Sequence, residues 1–287
     1  MQAQDRRRFG APEGAQPLRY APDLDSAAPA ASTSKRLDDR SPAQVRPVCE
    51  SPGHLRPGLV TEAAGSAYIE AGRTKVLVAV SDSLPCAPAE LYQADPGAYG
   101  PKPTPPSAPY NPKAKLNVEV KFAPFSSGVR RYVPGKDTEA STLAATLHQS
   151  LLPSIILTAL PKSQIDLFVT VLESDGWDGD VSLAVTAASV ALAEAGIAMH
   201  GLVVGCCAAV LPTFDQPVLD PTRAEARHAL AFAHLACMPA LGTVTNLRLT
   251  GAVPPETLAP ILERCSEVCA LLHGVAKQAL TDSLQRR

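Results

Sequence analysis

A chain of 287 residues with 46% hydrophobic and 19% charged residues can bury the core of one large or two medium domains. Its formal net charge of −2 excludes a global electrostatic pull toward nucleic acid, so any RNA contact must come from a local basic patch. The seven cysteines include no Cys-x-x-Cys pair, which argues against a zinc or disulfide framework and for core thiols in a reducing compartment.

Residues 1–45 are rich in Ala, Pro, Ser, Arg and Asp without periodicity. Such a segment buries too little apolar surface to offset its ordering entropy, so a flexible tail is expected, with the domain running from 46 to 287. Arg6 to Arg8 have no apolar run behind them and do not form a secretory signal; a solvated charge run outweighs an RNA or import role. Residues 65–80, GSAYIEAGRTKVLVAV, predict two short antiparallel strands turning near Gly72, with Val76, Val78 and Val80 alternating inward. From about 85 to 115 the chain carries nine prolines, a density that blocks helix and central strand alike. A long insertion between two strands is expected there, and recruitment of a partner protein through it is one open reading.

Further strands are predicted over 116–122, 165–173, 202–211, 231–237 and 243–249. A first helix should span Thr138 to Leu152, stacking Leu143, Leu147 and Leu151 one turn apart. A second, about Val181 to Ala195, is apolar on nearly every face and should lie between layers, with Gly196 as its C-terminal cap. Residues 181–199 are the longest apolar stretch, yet they contain Glu194 and read as a buried helix rather than a membrane span. A third helix should start at Pro254–Pro255 and run to about Leu284.

The segment Gly65-Ser66-Ala67, then Glu70-Ala71-Gly72 and Thr74-Lys75-Val76, closely resembles the opening signature of the RNase PH family. Arg36-Leu37-Asp38-Asp39-Arg40 followed by Arg46 is similar to that family's Arg-x-Asp-Gly-Arg segment, with Asp39 in place of glycine. Glu173-Ser174-Asp175-Gly176 before the apolar helix, Glu194-Ala195-Gly196-Ile197 after it, Asp220-Pro221-Thr222 and Cys237-Met238-Pro239 keep the family's order. The resemblance implies an α+β fold of the RNase PH-like, ribosomal-protein-S5-domain-2-like kind, built of sheet and helix layers. It also implies one of two functions: a phosphate-dependent 3′ exoribonuclease, or a ring subunit of the eukaryotic exosome without the chemistry.

Phosphorolysis needs several donors to hold phosphate in line with the scissile bond, and a carboxylate to act as acid or to hold a metal. In active relatives the phosphate loop reads Gly-Gly-Thr-Arg. Here it reads Gly176-Trp177-Asp178-Gly179-Asp180, with two aspartates and no arginine. The upstream arginine pair is replaced by Lys136-Asp137, and the place of the catalytic aspartate, seven residues before Pro239, holds Phe232. Losing a general acid costs about 10²–10⁴ in rate, and each lost electrostatic contact about 10²–10³.

Other sites read weakly. Asp175, Asp178 and Asp180 lack the glutamate an EF-hand needs, since Thr186 stands at the twelfth position; a solvated acidic loop is expected. The six histidines have no metalloprotease spacing, and there is no G-x-S-x-G elbow. Neither metal nor cofactor is expected. For single-stranded RNA the best candidates are Arg130 and Arg131 with Tyr132 as a stacking face, and Arg40 and Arg46 are weaker ones.

Residues Gly65 to Gly72 and Leu202 to Cys206 are most similar to one noncatalytic branch of the ring subunits. That resemblance implies a hetero-hexameric ring of RNase PH-like paralogues, RNA-binding cap subunits, single-stranded RNA as the guided substrate and no membrane. It implies work in nucleus, nucleolus and cytoplasm, supporting rRNA maturation and RNA surveillance. The enzyme reading stays open as the alternative.

Overall fold

The computed structural model describes residues 36, 40–44, 55–81, 112–127, 137–161, 163–212, 214 and 216–286. The expected hairpin is β2 (Gly65–Ala71) and β3 (Thr74–Ser81), antiparallel in register from Gly65↔Val80 to Ala71↔Thr74. Its alternation sends Ala67, Ile69, Val76, Val78 and Val80 into the core, while Tyr68, Glu70, Lys75 and Leu77 stay half-buried on the other face. On either side stand β1 (Leu55–Pro57) and β5 (Gln164–Glu173), both antiparallel to their neighbours. β4 (Lys115–Phe122) pairs with β5 in parallel and completes a five-stranded sheet of order β1-β2-β3-β5-β4. Parallel pairing demands a crossover, which α1 (Thr138–Leu151) supplies between β4 and β5. Leu143, Leu147 and Leu151 of α1 are fully buried, as their spacing requires. Most of the proline-rich segment lies outside the described residues.

The second sheet is antiparallel throughout, with order β7-β6-β8-β9: β6 (Val204–Val210), β7 (Val218–Leu219), β8 (Ala231–Met238) and β9 (Thr243–Gly251). Between the sheets runs α2 (Trp177–Glu194), touching β2 and β3 on one side and β6 on the other. This position explains its lack of a polar stripe. The other face of the second sheet is covered by α4 (Pro255–Arg286), whose Ile261, Cys265 and Cys269 pack on Val204, Cys206, Ala233 and Leu235. Cys206 and Cys207 point to opposite faces of β6, as adjacent strand residues must.

Two glycines set how closely the layers approach. A Cβ on Gly65 would lie 2.3 Å from the Ala191 carbonyl oxygen and 2.5 Å from the Ala195 nitrogen, so β2 meets the C-terminal turn of α2 backbone to backbone. A Cβ on Gly205 would lie 2.8 Å from the Ser182 carbonyl oxygen, so β6 meets the N-terminal half of the same helix in the same way.

Arg36 and residues 40–44, upstream of the expected domain start, pack on this unit. Arg36 Nε donates to Glu225 Oε1 at 2.7 Å, and its other nitrogens donate to the carbonyls of Leu219 at 2.7 Å and Asp220 at 2.9 Å. Glu225 belongs to the single turn α3 (Arg223–Ala226), where it closes a capping box with Thr222. Burial works against the Glu225 carboxylate, but hydrogen bonds from Arg36 and Thr222 outweigh it and hold the carboxyl below its ordinary range.

Candidate functional site

The chemistry-bearing positions converge where β5 hands over to α2. The backbone N–H of Ser174 donates to the Ser126 carbonyl at 2.7 Å, and that of Asp175 donates to Thr74 Oγ1 at 3.4 Å. Gly176 then turns the chain at φ 145°, and α2 begins at Trp177. Here the structure corrects the expected solvated acidic loop. Trp177 to Asp180 form the helix's first turn, with the Asp180 N–H donating to the Gly176 carbonyl at 3.1 Å. The Asp180 side chain is 1% exposed and accepts from Ser174 Oγ at 2.6 Å. A carboxylate can be buried there because a hydroxyl meets it and because helix N-termini favour negative charge. Its effect on an incoming anion is repulsion. Beside this turn runs α3: a Cβ on Gly176 would lie 3.6 Å from the Arg223 Cα. Arg223 therefore neighbours the loop, a placement that nothing in the sequence spacing signalled.

Phe232, which stands seven residues before Pro239, is a half-buried strand residue of β8 registered against Ala209 and Thr250. Two residues along the same face is His234, which sequence reading did not single out. It is 2% exposed, and neither ring nitrogen has a hydrogen-bond partner. Desolvation, helped by the nearby Arg248 charge, pushes it down to about 4, so the ring is neutral at physiological pH. Arg248 of β9 donates to Thr146 Oγ1 of α1 at 3.2 Å, and Asn246 donates to Ser150 Oγ at 3.1 Å. These bonds stitch α1 to β9 along a shallow groove of about 410 Å³.

Among the sequence candidates for RNA, Arg46, Arg130, Arg131 and Tyr132 lie outside the described residues, as does Lys136. Arg40 is described. It is 9% exposed, with Nη1 3.5 Å from Asp220 Oδ2 and Nη2 donating to the Asp220 carbonyl at 3.3 Å. Among the described residues no cluster of three metal-ligating side chains is present, and no helix is long and apolar enough to cross a membrane.

A buried helix between two sheets, a Gly-Ser-Ala strand packed on its C-terminus and a strand–turn at its N-terminus are the framework of the RNase PH family, and this chain belongs to it. The family described as "3′ exoribonuclease family, domain 1" matches residues 52–198. The chain is 35% identical over 285 residues to the mouse exosome complex component MTR3, covering 99% of this chain and 97% of that one. Identity to the human MTR3 is 36% over 286 residues, with the same coverage. The exosome complex component Rrp41 of Methanopyrus kandleri is 31% identical over 86% of this chain and 92% of its own length. Among solved structures, rice Rrp46 superposes with a TM-score of 0.67 at 25% identity, over 85% of this chain and all of that one. A chain of an archaeal exosome core gives 0.62 at 16% identity, over 85% of this chain and 92% of its own, which speaks for the fold alone.

Proposed function

We propose that this chain is a noncatalytic ring subunit of the eukaryotic exosome core, supporting 3′-to-5′ RNA processing and degradation. The observation that carries the reading is Phe232 at the acid's place, since a phenyl ring neither donates a proton nor binds a metal. The buried Asp180 carboxylate at the start of α2 supports it, because it adds negative charge where a phosphate would have to sit. The mouse and human relatives, matched nearly end to end, are exosome components by name.

Ring assembly needs surface. On β9, Val244, Leu247 and Leu249 are 60, 44 and 40% exposed and continue the apolar face that α4 covers over β6 and β8. Leu230 and Leu241, beyond the two ends of β8, are 63 and 53% exposed. Such a patch fits a subunit contact with an RNase PH-like paralogue in a hetero-hexameric ring. RNA-binding cap subunits, single-stranded RNA guided past Arg130, Arg131 and Tyr132, and a distribution over nucleus, nucleolus and cytoplasm belong to the same proposal.

The test is to co-express the chain with candidate ring paralogues and to assay 3′ trimming of single-stranded RNA with and without phosphate. Ring assembly without nucleoside diphosphate release from this subunit, with weaker RNA binding in an Arg130→Glu, Arg131→Glu variant, is expected. Phosphate-dependent diphosphate release by this chain alone overturns the reading. That result would favour the second one, an active phosphate-dependent exoribonuclease, which the description of the matched family supports.

A further inference from the structure

The two sheets end in four outer strands, and three of these are guarded. β1 is three residues long. β4 exposes Lys115, Glu119 and Lys121 along its length, with Lys121 Nζ 2.8 Å from Glu119 Oε1. β7 is two residues long, and the upstream chain covers it: the Leu219 N–H donates to the Pro42 carbonyl at 2.9 Å. Short strands, charged side chains and covering segments keep sheet edges from pairing with other chains. β9 has none of these. It runs for nine residues, pairs among the described residues with β8 alone, and leaves Leu247 and Leu249 exposed. The register irregularity against β8 falls before Asn246, and the strand is regular from there to Gly251. Its one charge, Arg248, donates to Thr146 on the opposite face from the leucines. The 410 Å³ groove lies along this edge, with Asn246 to Leu249 on one side and Thr142, Ala145, Thr146 and Gln149 of α1 on the other. Residues of both faces of β9 line it, so it opens on the strand's edge, and Arg248 is its one charged lining residue.

A strand edge offers alternating N–H and C=O groups, and another strand satisfies them. The sequence of β9 fits itself. An antiparallel twin about a twofold axis at Leu247 sets Leu247 against Leu247, Asn246 against Arg248 and Thr245 against Leu249. Each arginine then faces an asparagine, and the central leucines cover one another; centring on Arg248 instead would set like charges opposite. We propose that β9 pairs edge to edge with β9 of a second copy of this chain about a twofold axis at Leu247. The pairing joins the two second sheets into one, as a self-complementary twofold contact does. It stands on this edge and not on the ring reading, and a paralogue that took the same edge would displace the second copy.

The experiment sediments the full-length chain over a range of concentrations and follows amide exchange along β9. A monomer–dimer equilibrium is expected, with slower exchange in the dimer at alternate amides from Thr245 to Leu249. Leu247→Lys sets two lysines opposite each other at the axis and should weaken the dimer by about tenfold or more. Leu247→Glu should do the same. An equimolar mixture of the two variants sets lysine against glutamate and should dimerise again. The Leu247 side chain is 44% exposed, so the fold tolerates either charge. A native chain that stays monomeric, or a dimer whose β9 amides exchange as in the monomer, would overturn the proposal. So would variants that associate like the native chain, or a mixture that recovers no dimer.

Discussion

The two ends of α2 are built to different standards. At the C-terminal end Gly65 and Glu194, two of the residues that carry the family resemblance, each have a visible task. Gly65 admits the helix backbone, and Glu194 Oε2 accepts from the backbone N–H groups of Gly58 at 2.7 Å and Ser66 at 2.9 Å. At the N-terminal end the strand, the Gly176 turn and the helix are in place, with an aspartate buried in the first turn. The contrast teaches that the requirements of packing and of catalysis are separable within one helix. On the proposed reading a ring subunit must fit its neighbours whether or not it cleaves, so the packing end has a task that catalysis does not set.

The sharpest way to break that contrast is Gly65→Ala. The new methyl would meet backbone rather than a flexible side chain, and the layers must separate to admit it. A loss of about 3 kcal/mol is expected, read as a fall in the urea midpoint, and an unchanged midpoint would mean the sheet yields freely. Next comes His234, on the sheet face shared with Phe232. Its folded value of about 4 lies below the ordinary 6.5, so the neutral ring's contribution is complete above about pH 6.5 and is lost as pH falls toward 4. The difference amounts to about 3 kcal/mol. Stability measured across that window should fall for the native chain and stay flatter in His234→Leu. Glu194→Ala follows, leaving the Ser66 N–H without its charged acceptor while the Gly58 N–H keeps the Ser66 carbonyl, for about 2 kcal/mol, seen as faster amide exchange at Ser66.

The packing end was also the legible one. Alternation from Tyr68 to Val80 and the leucine spacing of α1 are local signals, and both elements formed where they were expected. The start of α2 was misplaced because its first turn, Trp177 to Asp180, carries no apolar period; the pattern begins only at Val181. β1 and β7, three and two residues long, are strands only by virtue of their partners. Arg36 and Glu225 are 189 residues apart, and no spacing rule joins them. His234 gave no signal because a lone strand histidine is unremarkable until both its nitrogens prove unpartnered.

The smallest expected effect is the most informative about the chemical end. Phe232→Asp returns a carboxylate to the acid's position and should restore no phosphorolysis, read as the absence of nucleoside diphosphate from a 3′ single-stranded substrate at high phosphate. The members of a catalytic site act as a unit, so one restored part multiplies nothing when the others are missing. The segment from Gly176 to Asp180 would still offer a phosphate two acids and no arginine. Measurable turnover from this single change would place the remaining donors elsewhere, and Arg223, whose backbone runs beside the Gly176 turn, would be the first residue to remove.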